Sequence, residues 1–217
     1  MAAVDPRLVS ALTEQLARRQ AAFADGARRV GWKLGMGEAE RIGQGPVVGH
    51  LTSATQLEPG AAFVISDDAR LHADVELAAL IGSDVGAGGD VAGAIGGWAV
   101  ALELVDLGQG GDDPEAIVAA NVFHRAFALG PTSASSGSPP GGLAGGLSVN
   151  GQLRASASVP DVGPRLAAAA GILASVGESL RRGDRVITGS IVQEPVRPGD
   201  ALVADLGPIG SVTLRVA

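Results

Sequence analysis

The sequence predicts an α+β fold in which strands outnumber helices. Apolar runs with strand-like alternation fill most of the chain after residue 30, whereas helical spacing of apolar residues is confined to three segments. Strands and helices do not alternate strictly, which argues against a doubly wound parallel sheet. The 217 residues are enough for a well-formed core, and we expect an N-terminal helical segment over residues 1–30 followed by a β-rich domain over residues 31–217.

The three helical segments each begin or end with recognisable signals. Residues 5–29 open on Asp-Pro and predict one or two amphipathic helices, broken near Gly26. Asp113 is a candidate N-cap, and Pro114 suits the first position of a short helix. Residues 163–184 predict a helix that ends in basic residues and a glycine stop, in keeping with the helix dipole.

The strands follow from alternation and from turn residues. A turn is expected at Pro59-Gly60, and Asn150-Gly151 between two alternating runs predicts a hairpin. Gly-rich loops are expected over residues 35–49, 83–91 and 131–146. Besides several short strands after residue 184, the predicted strands lie in VGWKLG, GHLTSATQLEPGAAFVIS, LHADVELAALIG, GWAVALELVDL and RAFALG.

The composition excludes several classes of protein. A formal net charge of -7 argues against a nucleic-acid partner, because neutralising phosphates requires a basic patch. With no Cys there is neither a disulfide framework nor a thiolate site, and we expect an intracellular protein. No basic region followed by an apolar stretch opens the chain, and no run is long enough to cross a membrane. A cytoplasmic location without a membrane partner is therefore expected.

Three acids lie within apolar strands. Asp74 and Glu76 share one strand face, with His72 beside them, and Glu103 lies among aliphatic residues of the next long strand. Three carboxylates completed by water describe a site for Mg²⁺ or Mn²⁺, since hard cations prefer oxygen ligands. The alternative is that one or more acids face solvent or pair with a distant Arg. His72 is expected to form hydrogen bonds with the neighbouring acids rather than to bind a metal ion itself.

The remaining candidates for chemistry are few. Of 16 basic residues, only Lys33 is a lysine. Its side chain either reaches the surface or is a partly buried ammonium that can exchange protons. His50 and His124 lie at an element boundary and near a helix end, where structural roles are expected. There is no G-x-S-x-G elbow for a nucleophilic serine.

The order of these motifs resembles the fumarylacetoacetate hydrolase superfamily, and within it the branch of 2-keto-4-pentenoate hydratase and 4-oxalocrotonate decarboxylase. The resemblance runs from about residue 30 to the C-terminus and is carried by GWKLG, GHLTS, LHADVELAALIG, ALELVD, AANVFHRAFALG and ITGSIVQEPVRPGDALVADLGPIGSVTLRV. It implies a mixed, rolled β-sandwich with flanking helices. It also implies a Mg²⁺ or Mn²⁺ ion held by Asp74, Glu76 and Glu103.

The same resemblance implies an activity. Lys33 matches the active-site lysine of the family, and with His50 it would move the protons of the reaction. Gly189 and Ser190 would hold the substrate carboxylate. The expected enzyme is a metal-dependent lyase, a hydratase that converts a small 2-hydroxydienoic or 2-oxo acid such as 2-hydroxypenta-2,4-dienoate to 4-hydroxy-2-oxopentanoate. Family members usually self-assemble, so a homo-oligomer is expected.

Departures from the family pattern keep alternatives open. Asp74 stands where the hydratases generally have Glu, and Ser53 and Ala54 stand where they commonly have an acid. No His-x-x-Glu helix of the hydrolytic members is found, which counts against C–C bond hydrolysis. The alternatives are a 4-oxalocrotonate-type decarboxylase, an acylpyruvate hydrolase and a member that binds a metal–oxoacid complex without turning it over.

Overall fold

Two β-sheets form the framework of the part of the chain that the structure describes. This structure is a computed structural model, and it describes residues 4–35, 42, 46–65, 69–109, 111–134 and 136–217. A single 3₁₀ turn, Gly207–Ile209, precedes the last strand. Within the described ranges the elements are α1 (Pro6–Ala24), β1 (Arg29–Gly35), β2 (Val47–Thr52), β3 (Ala62–Phe63), β4 (Leu71–Ile81), β5 (Ile95–Asp106), α2 (Pro114–Ala119), β6 (His124–Leu129), β7 (Ala144–Val149), β8 (Gln152–Ser158), α3 (Gly163–Ser175), β9 (Arg185–Ile187), β10 (Val192–Pro195), β11 (Ala201–Asp205) and β12 (Ser211–Val216).

The first sheet has the strand order β2-β1-β9-β4-β5-β6, and β10 pairs with β4 as well. The second sheet has the order β3-β12-β11-β7-β8. Most pairs are antiparallel, but β1 runs parallel to β9 and β12 runs parallel to β3. The two sheets meet where β5 contacts β11 and β12. This mixed architecture, with few helices, confirms the predicted α+β class.

One face of the β4–β5 pair forms the centre of the core. Val75 and Leu77 of β4 and Leu102 and Leu104 of β5 are fully buried, in one cluster with Leu202 of the second sheet. Burying each such side chain contributes about 1.5–3 kcal/mol. Slipping the strands by one residue would turn these side chains outward, so the register of β4 against β5 is strongly fixed.

The opposite face of the same sheet carries a smaller apolar cluster. Its fully or nearly fully buried members include Ala78, Ala101, Phe127 and Ile187. These residues come from four neighbouring strands, and small side chains dominate. The polar residues described in the next section continue along this face.

The predicted helix starts and the first helix end are confirmed. α1 is capped by Asp5, whose carboxylate accepts from the Arg7 N–H, and it ends just before Gly26, which has a φ of 93°. α2 is capped by Asp113, whose carboxylate accepts from the Glu115 N–H. Among the described helices, none is both long and apolar enough to cross a membrane.

The third helix is shorter than predicted. The sequence predicted a helix over residues 163–184, but α3 ends at Ser175. Gly177 adopts a left-handed φ of 75°, and this glycine ends the helix two turns earlier than the one at residue 183. The basic pair Arg181-Arg182 therefore lies beyond the last turn and does not interact with the helix dipole as expected.

The predicted hairpin is confirmed, and two of the predicted loops are partly strands. β7 begins at Ala144, inside the loop expected over residues 131–146. Asn150 and Gly151, with φ values of 53° and 78°, connect β7 and β8 as a type I′ turn requires. β2 begins at Val47, inside the segment expected to be a loop. Residues 36–41 and 43–45 of that segment lie outside the described residues.

α1 is fastened to the first sheet by buried polar contacts. The Gln15 amide donates to the carbonyls of Val48 (3.1 Å) and Val118 (2.6 Å), and its oxygen lies 3.3 Å from Nδ1 of His50. One side chain thus joins α1, β2 and α2. A buried amide with this many partners fixes the packing of the three elements.

Two arginines packed against Trp32 hold β1 on the side of the sheet that faces α1. The indole of Trp32 is fully buried, and the guanidinium groups of Arg19 and Arg29 lie 5.1 Å and 4.9 Å from its ring. Both arginines pair with Glu178, which is in the loop after α3. The position of β1 is therefore tied both to α1 and to the segment that leads into β9.

Gly31 of β1 lies against the backbone of β9, which gives a first prediction. A Cβ atom at Gly31 would lie 1.9 Å from the carbonyl oxygen of Arg185, so one strand would have to move. We expect Gly31→Ala to lower the free energy of unfolding in urea by about 3 kcal/mol or more. Gly86→Ala, where nothing lies within 4 Å of the added Cβ, should change it by no more than about 0.5 kcal/mol. Equal effects of the two substitutions would contradict the described β1–β9 contact.

The partly buried ring of His50 gives a second prediction. Burial first, and then the nearby His124 and Arg19, together lower the pKa of His50 to about 3. The unfolded chain takes up a proton below about pH 6.5 that the folded protein does not, so this contribution to stability is lost as the pH falls. Between pH 7.5 and pH 5, the free energy of unfolding of wild type relative to His50→Gln should fall by about 2 kcal/mol. A difference independent of pH in urea titrations would show that the ring is not held neutral.

Candidate active site

Three carboxylates converge on the face opposite the main core. Asp74 and Glu76 are two residues apart on β4, and Asp74 is directly paired with Glu103 on β5. Each residue offers an oxygen, and these oxygens lie within 4.8 Å of one another. The relative exposures are 5%, 1% and 0%, so all three acids are removed from water. Like charges this close need a positive partner.

Lys33 supplies a positive charge from β1. Its Nζ lies 2.6 Å from Oε1 of Glu103 and donates to the carbonyl of Val122 at 2.8 Å. The side chain lies across β2 at Gly49, where a Cβ would be 2.6 Å from Cγ of Lys33. The absence of a side chain at Gly49 is therefore what lets Lys33 reach the acids.

The electrostatics of the cluster differ from one acid to the next. Burial and then the charge of Glu103 raise the pKa of Asp74 to about 7, against the opposing effects of Lys33 and Gln193. Burial, Glu103 and Asp74 likewise raise the pKa of Glu76. Burial alone would raise the pKa of Glu103, but the Lys33 ammonium and the hydrogen bond from His124 lower it below its ordinary value. One ammonium thus stabilises one carboxylate and leaves two under repulsion.

Two oxygens of the cluster are buried without a hydrogen-bond partner among the described residues. They are Oδ1 of Asp74 and Oε2 of Glu103. The other oxygen of Asp74 accepts from the Gln193 amide at 3.1 Å, and that of Glu103 is held by Lys33. A buried acceptor with no donor is costly, and a hard divalent cation is the partner that such a set of oxygens fits.

A cavity of about 540 Å³ opens onto these groups. Its polar part comes from side chains that include Lys33, the three acids, Asp112 and Gln193. Its apolar part comes from side chains that include Leu107, Ile117 and Phe123. Arg70, which is exposed, also lines the cavity, and its guanidinium donates to the carbonyl of Leu107 at 2.8 Å. The cavity combines charged groups at one end with an apolar wall, which suits a small organic acid.

Part of the apolar wall is a strained turn between α2 and β6. Asn121, Val122 and Phe123 have φ values of 68°, 53° and 62°, in the left-handed region that branched residues rarely adopt. The turn is held because the Asn121 amide pairs with both the N–H and the carbonyl of His50, at 2.7 Å and 3.1 Å. It places the Val122 carbonyl on Lys33. Such strain is often found at functional sites.

The segment between β9 and β10 supports Glu76. The backbone N–H of Gly189 donates to Oε2 of Glu76 at 2.6 Å, and the Ser190 hydroxyl donates to the carbonyl of Val192 at 2.9 Å. Ser190, expected from the sequence to contact the substrate, lines the cavity, whereas the Gly189 N–H is engaged by the Glu76 carboxylate. The structure therefore connects Gly189 with the acid cluster.

His50 is not among the residues that line this cavity. It lines a separate, open cavity of about 420 Å³ with Arg18 and Asn121. On β2, Gly49 pairs with Lys33 while His50 pairs with Trp32, so the His50 side chain lies on the other face of the sheet. His72 is also outside the acid cluster, and its Nδ1 donates to the carbonyl of Arg70 at 3.0 Å.

Sequence reasoning missed the contact between His124 and Glu103. Nδ1 of His124 lies 2.6 Å from Oε1 of Glu103, and both side chains are buried. Strict alternation would turn His124 away from Glu103, but β6 carries a bulge opposite Leu104 and Val105 that brings His124 to this face. Gln193, also missed, could have been found only from the pairing of β10 with β4.

The fold is similar to that of several solved enzymes. 4-Oxalocrotonate decarboxylase from Pseudomonas putida G7, solved with magnesium and adipate, gives a TM-score of 0.80 at 21% identity over 97% of this chain and 86% of that chain. Fumarylpyruvate hydrolase from Pseudomonas aeruginosa, solved with Mn²⁺ and pyruvate, gives 0.69 at 21% identity over 88% and 89%. 2-Hydroxyhepta-2,4-diene-1,7-dioate isomerase from Mycobacterium marinum gives 0.66 at 21% identity over 88% and 76%. These similarities confirm the predicted fold.

Sequence comparison leads to the same group of proteins at the level of the family. No curated protein sequence matches this chain. Residues 17–217, however, match the family model described as fumarylacetoacetate (FAA) hydrolase C-terminal. The match includes the strands that carry Lys33 and the three acids, and it spans most of the chain. The chain therefore belongs to the fumarylacetoacetate hydrolase family.

Proposed function

We propose that this protein is a divalent-metal-dependent lyase that acts on a small 2-hydroxydienoic or 2-oxo acid, and specifically a hydratase. The substrate class is that of 2-hydroxypenta-2,4-dienoate, with 4-hydroxy-2-oxopentanoate as the product. Family membership supports a small-acid-processing enzyme. The similar decarboxylase and hydrolase, solved with magnesium and adipate and with Mn²⁺ and pyruvate, support a cation and an organic acid in this fold.

The observation that carries the proposal is the buried acid cluster with its unpartnered oxygens. Asp74, Glu76 and Glu103 would hold a Mg²⁺ or Mn²⁺ ion, since their oxygens are close together and lack sufficient positive charge. When bound, such an ion supplies Lewis acidity toward the oxygens of a 2-oxo acid. Asp74 fits this role although it is shorter than Glu, because Gln193 holds one of its oxygens and leaves the other available.

Lys33 is the proposed acid–base group. An ammonium has three donors, and Glu103 and the Val122 carbonyl account for two of them. No described residue takes the third, which would be available to a substrate in the cavity that Lys33 lines. From this position Nζ can give a proton to, or take one from, the carbon chain as the enol and keto forms interconvert, after which water adds to the conjugated double bond.

The other predicted residues have different parts in the proposal. Ser190 lines the cavity and remains a candidate contact for the substrate carboxylate. Gly189 acts indirectly, by holding Glu76. His50 is given no part in proton transfer because its ring lies on the other face of the sheet. The apolar wall, which includes Ile117 and Phe123, would limit access of bulk water to the reacting carbons.

The test is an ultraviolet assay on 2-hydroxypenta-2,4-dienoate with and without Mg²⁺. We expect activity that is lost on chelation, and a fall in kcat of at least about 100-fold in Glu103→Gln and in Lys33→Arg. Arginine keeps the positive charge but does not give up its proton at working pH. The matched control is Glu194→Gln on β10, an acid outside the residues that line the cavity, which should behave as wild type.

Two results would contradict the proposal. Activity that is indifferent to chelation, or that survives in Glu103→Gln, would remove the metal site from the reaction. Full turnover in Lys33→Arg would show that Lys33 only binds an anion through its positive charge and transfers no proton. The thermal stability of each variant is measured in parallel, so that a loss of folding is not taken for a loss of chemistry.

Arg70 favours a second candidate, decarboxylation of a related oxo-diacid. Among the described residues that line the cavity, Arg70 and Lys33 are the basic ones. The Arg70 guanidinium has five N–H donors, and one of them donates to the carbonyl of Leu107. The others could bind a second carboxylate at the far end of a substrate. A monoacid has no such group.

Replacing Arg70 separates the two candidates. With an oxo-diacid of the 4-oxalocrotonate type, Arg70→Met should raise KM about 10- to 100-fold, because a charge-assisted hydrogen bond contributes about 1.5–3 kcal/mol. With the monoacid it should change KM less than about 2-fold, since no distal carboxylate is present. Arg154→Met, at an exposed position on β8, is the control. A diacid turned over faster than the monoacid by wild type, with this KM effect, would replace the hydratase by the decarboxylase.

A further inference from the structure

His124 is a buried imidazole with a hydrogen-bond partner on each ring nitrogen. Nδ1 lies 2.6 Å from Oε1 of Glu103, and Nε2 lies 2.9 Å from the hydroxyl of Thr55. The side chains of His124 and Glu103 are each 1% exposed. An ionised carboxylate only accepts, so Nδ1 donates, and the neutral ring then accepts at Nε2 from the Thr55 hydroxyl. The Glu103 carboxylate therefore fixes the Nδ1–H tautomer. The Thr55 hydroxyl holds the far side of the ring, since its 2.9 Å contact with Nε2 is shorter than its 3.4 Å contact with the Thr52 carbonyl.

This contact determines which oxygen of Glu103 is available. Oε1 receives two donors, Nδ1 of His124 and Nζ of Lys33, each at 2.6 Å. Oε2 receives none among the described residues, although it is fully buried. Two donors on one oxygen fix the rotation of the carboxylate. The unpartnered oxygen is consequently held in one orientation within the acid cluster.

We propose that His124, oriented by Thr55, is a positioning residue that holds Glu103 so that Oε2 is presented to a divalent cation. This inference rests on the metal site of the proposed function. His124 does not line the cavity and touches neither substrate nor ion in this proposal. It acts through Glu103 alone, as outer-sphere partners of metal ligands commonly do.

The local backbone supports a specific role for the ring over simple filling of space. The bulge in β6 is what brings His124 to the face of Glu103. A residue that only filled the core would need neither the bulge nor a hydroxyl on its far side. Phe127, on the same strand, already provides apolar packing there, with its ring centroid 5.8 Å from that of His124.

Metal affinity in substituted proteins tests the role without relying on turnover. Mn²⁺ is titrated into the full-length chain and followed by calorimetry and by the electron paramagnetic resonance signal of the free ion. We expect His124→Leu to weaken Mn²⁺ binding about 10- to 100-fold, the usual effect of removing such a partner. His124→Asn should bind within about 3-fold of wild type, because the amide nitrogen of Asn can donate where Nδ1 does.

Thr55→Val gives an independent measure with an almost isosteric change. Without the hydroxyl, Nε2 loses the partner that orients the ring, Glu103 is held less firmly, and Mn²⁺ affinity should fall several-fold. His72→Leu serves as the control, since His72 is on the same strand as Asp74 but outside the acid cluster. It should bind Mn²⁺ as wild type does.

The outcomes distinguish this inference from the proposed function. No Mn²⁺ binding by wild type would overturn the metal site itself and the inference with it. Wild-type binding with unchanged affinity in His124→Leu, or equal weakening in His124→Leu and His124→Asn, would overturn only the positioning role. If His124→Leu does not fold, Thr55→Val decides, and wild-type affinity in that variant overturns the proposal.

Discussion

The pairing of β4 with β5 is the constraint on which the rest of the site depends. It places Asp74 directly opposite Glu103 and leaves Glu76 two residues away on the same face. The strands cannot slip to relieve the repulsion, because their other faces are locked into the main core by aliphatic side chains. Hydrophobic burial on one side of the sheet thus stabilises an arrangement of charges on the other side that would be unfavourable alone.

Neighbouring elements are arranged to meet that charge. β1 brings the Lys33 ammonium to Glu103, and the missing side chain at Gly49 gives it room. Trp32, next in sequence, packs against the guanidinium groups of Arg19 and Arg29 on the other face, which keeps β1 in place. The placement of one ammonium is therefore supported by contacts from α1, β2 and the loop before β9. Among the described residues, Lys33 is the one buried cation that contacts the acid cluster, which leaves three buried acids short of positive charge.

Alternation along strands made the acid cluster a candidate from sequence, and the family resemblance favoured it over acids that face solvent. Asp74 and Glu76 share a face by their spacing, and Glu103 follows in the next long apolar run, so their convergence required only the pairing of adjacent strands. His124 could not be found in this way, since a bulge reverses the face expected from alternation. The side of the sheet taken by His50 depends on the pairing of β1 with β2, which the sequence does not reveal. The length of α3 depended on which of two glycines adopts the left-handed conformation.

The turn at Asn121, Val122 and Phe123 connects the shape of the cavity with its charge. Non-glycine residues in the left-handed region cost about 1–3 kcal/mol each, so the segment favours another conformation unless its contacts hold it. Those contacts are the Asn121 amide on His50 at one end and the ammonium of Lys33 on the Val122 carbonyl in the middle. Lys33 thus stabilises the conformation of this turn in addition to its proposed part in proton transfer. The apolar wall proposed to contact a substrate and the proposed proton donor Lys33 beside it form a single unit, so a change to one also changes the other.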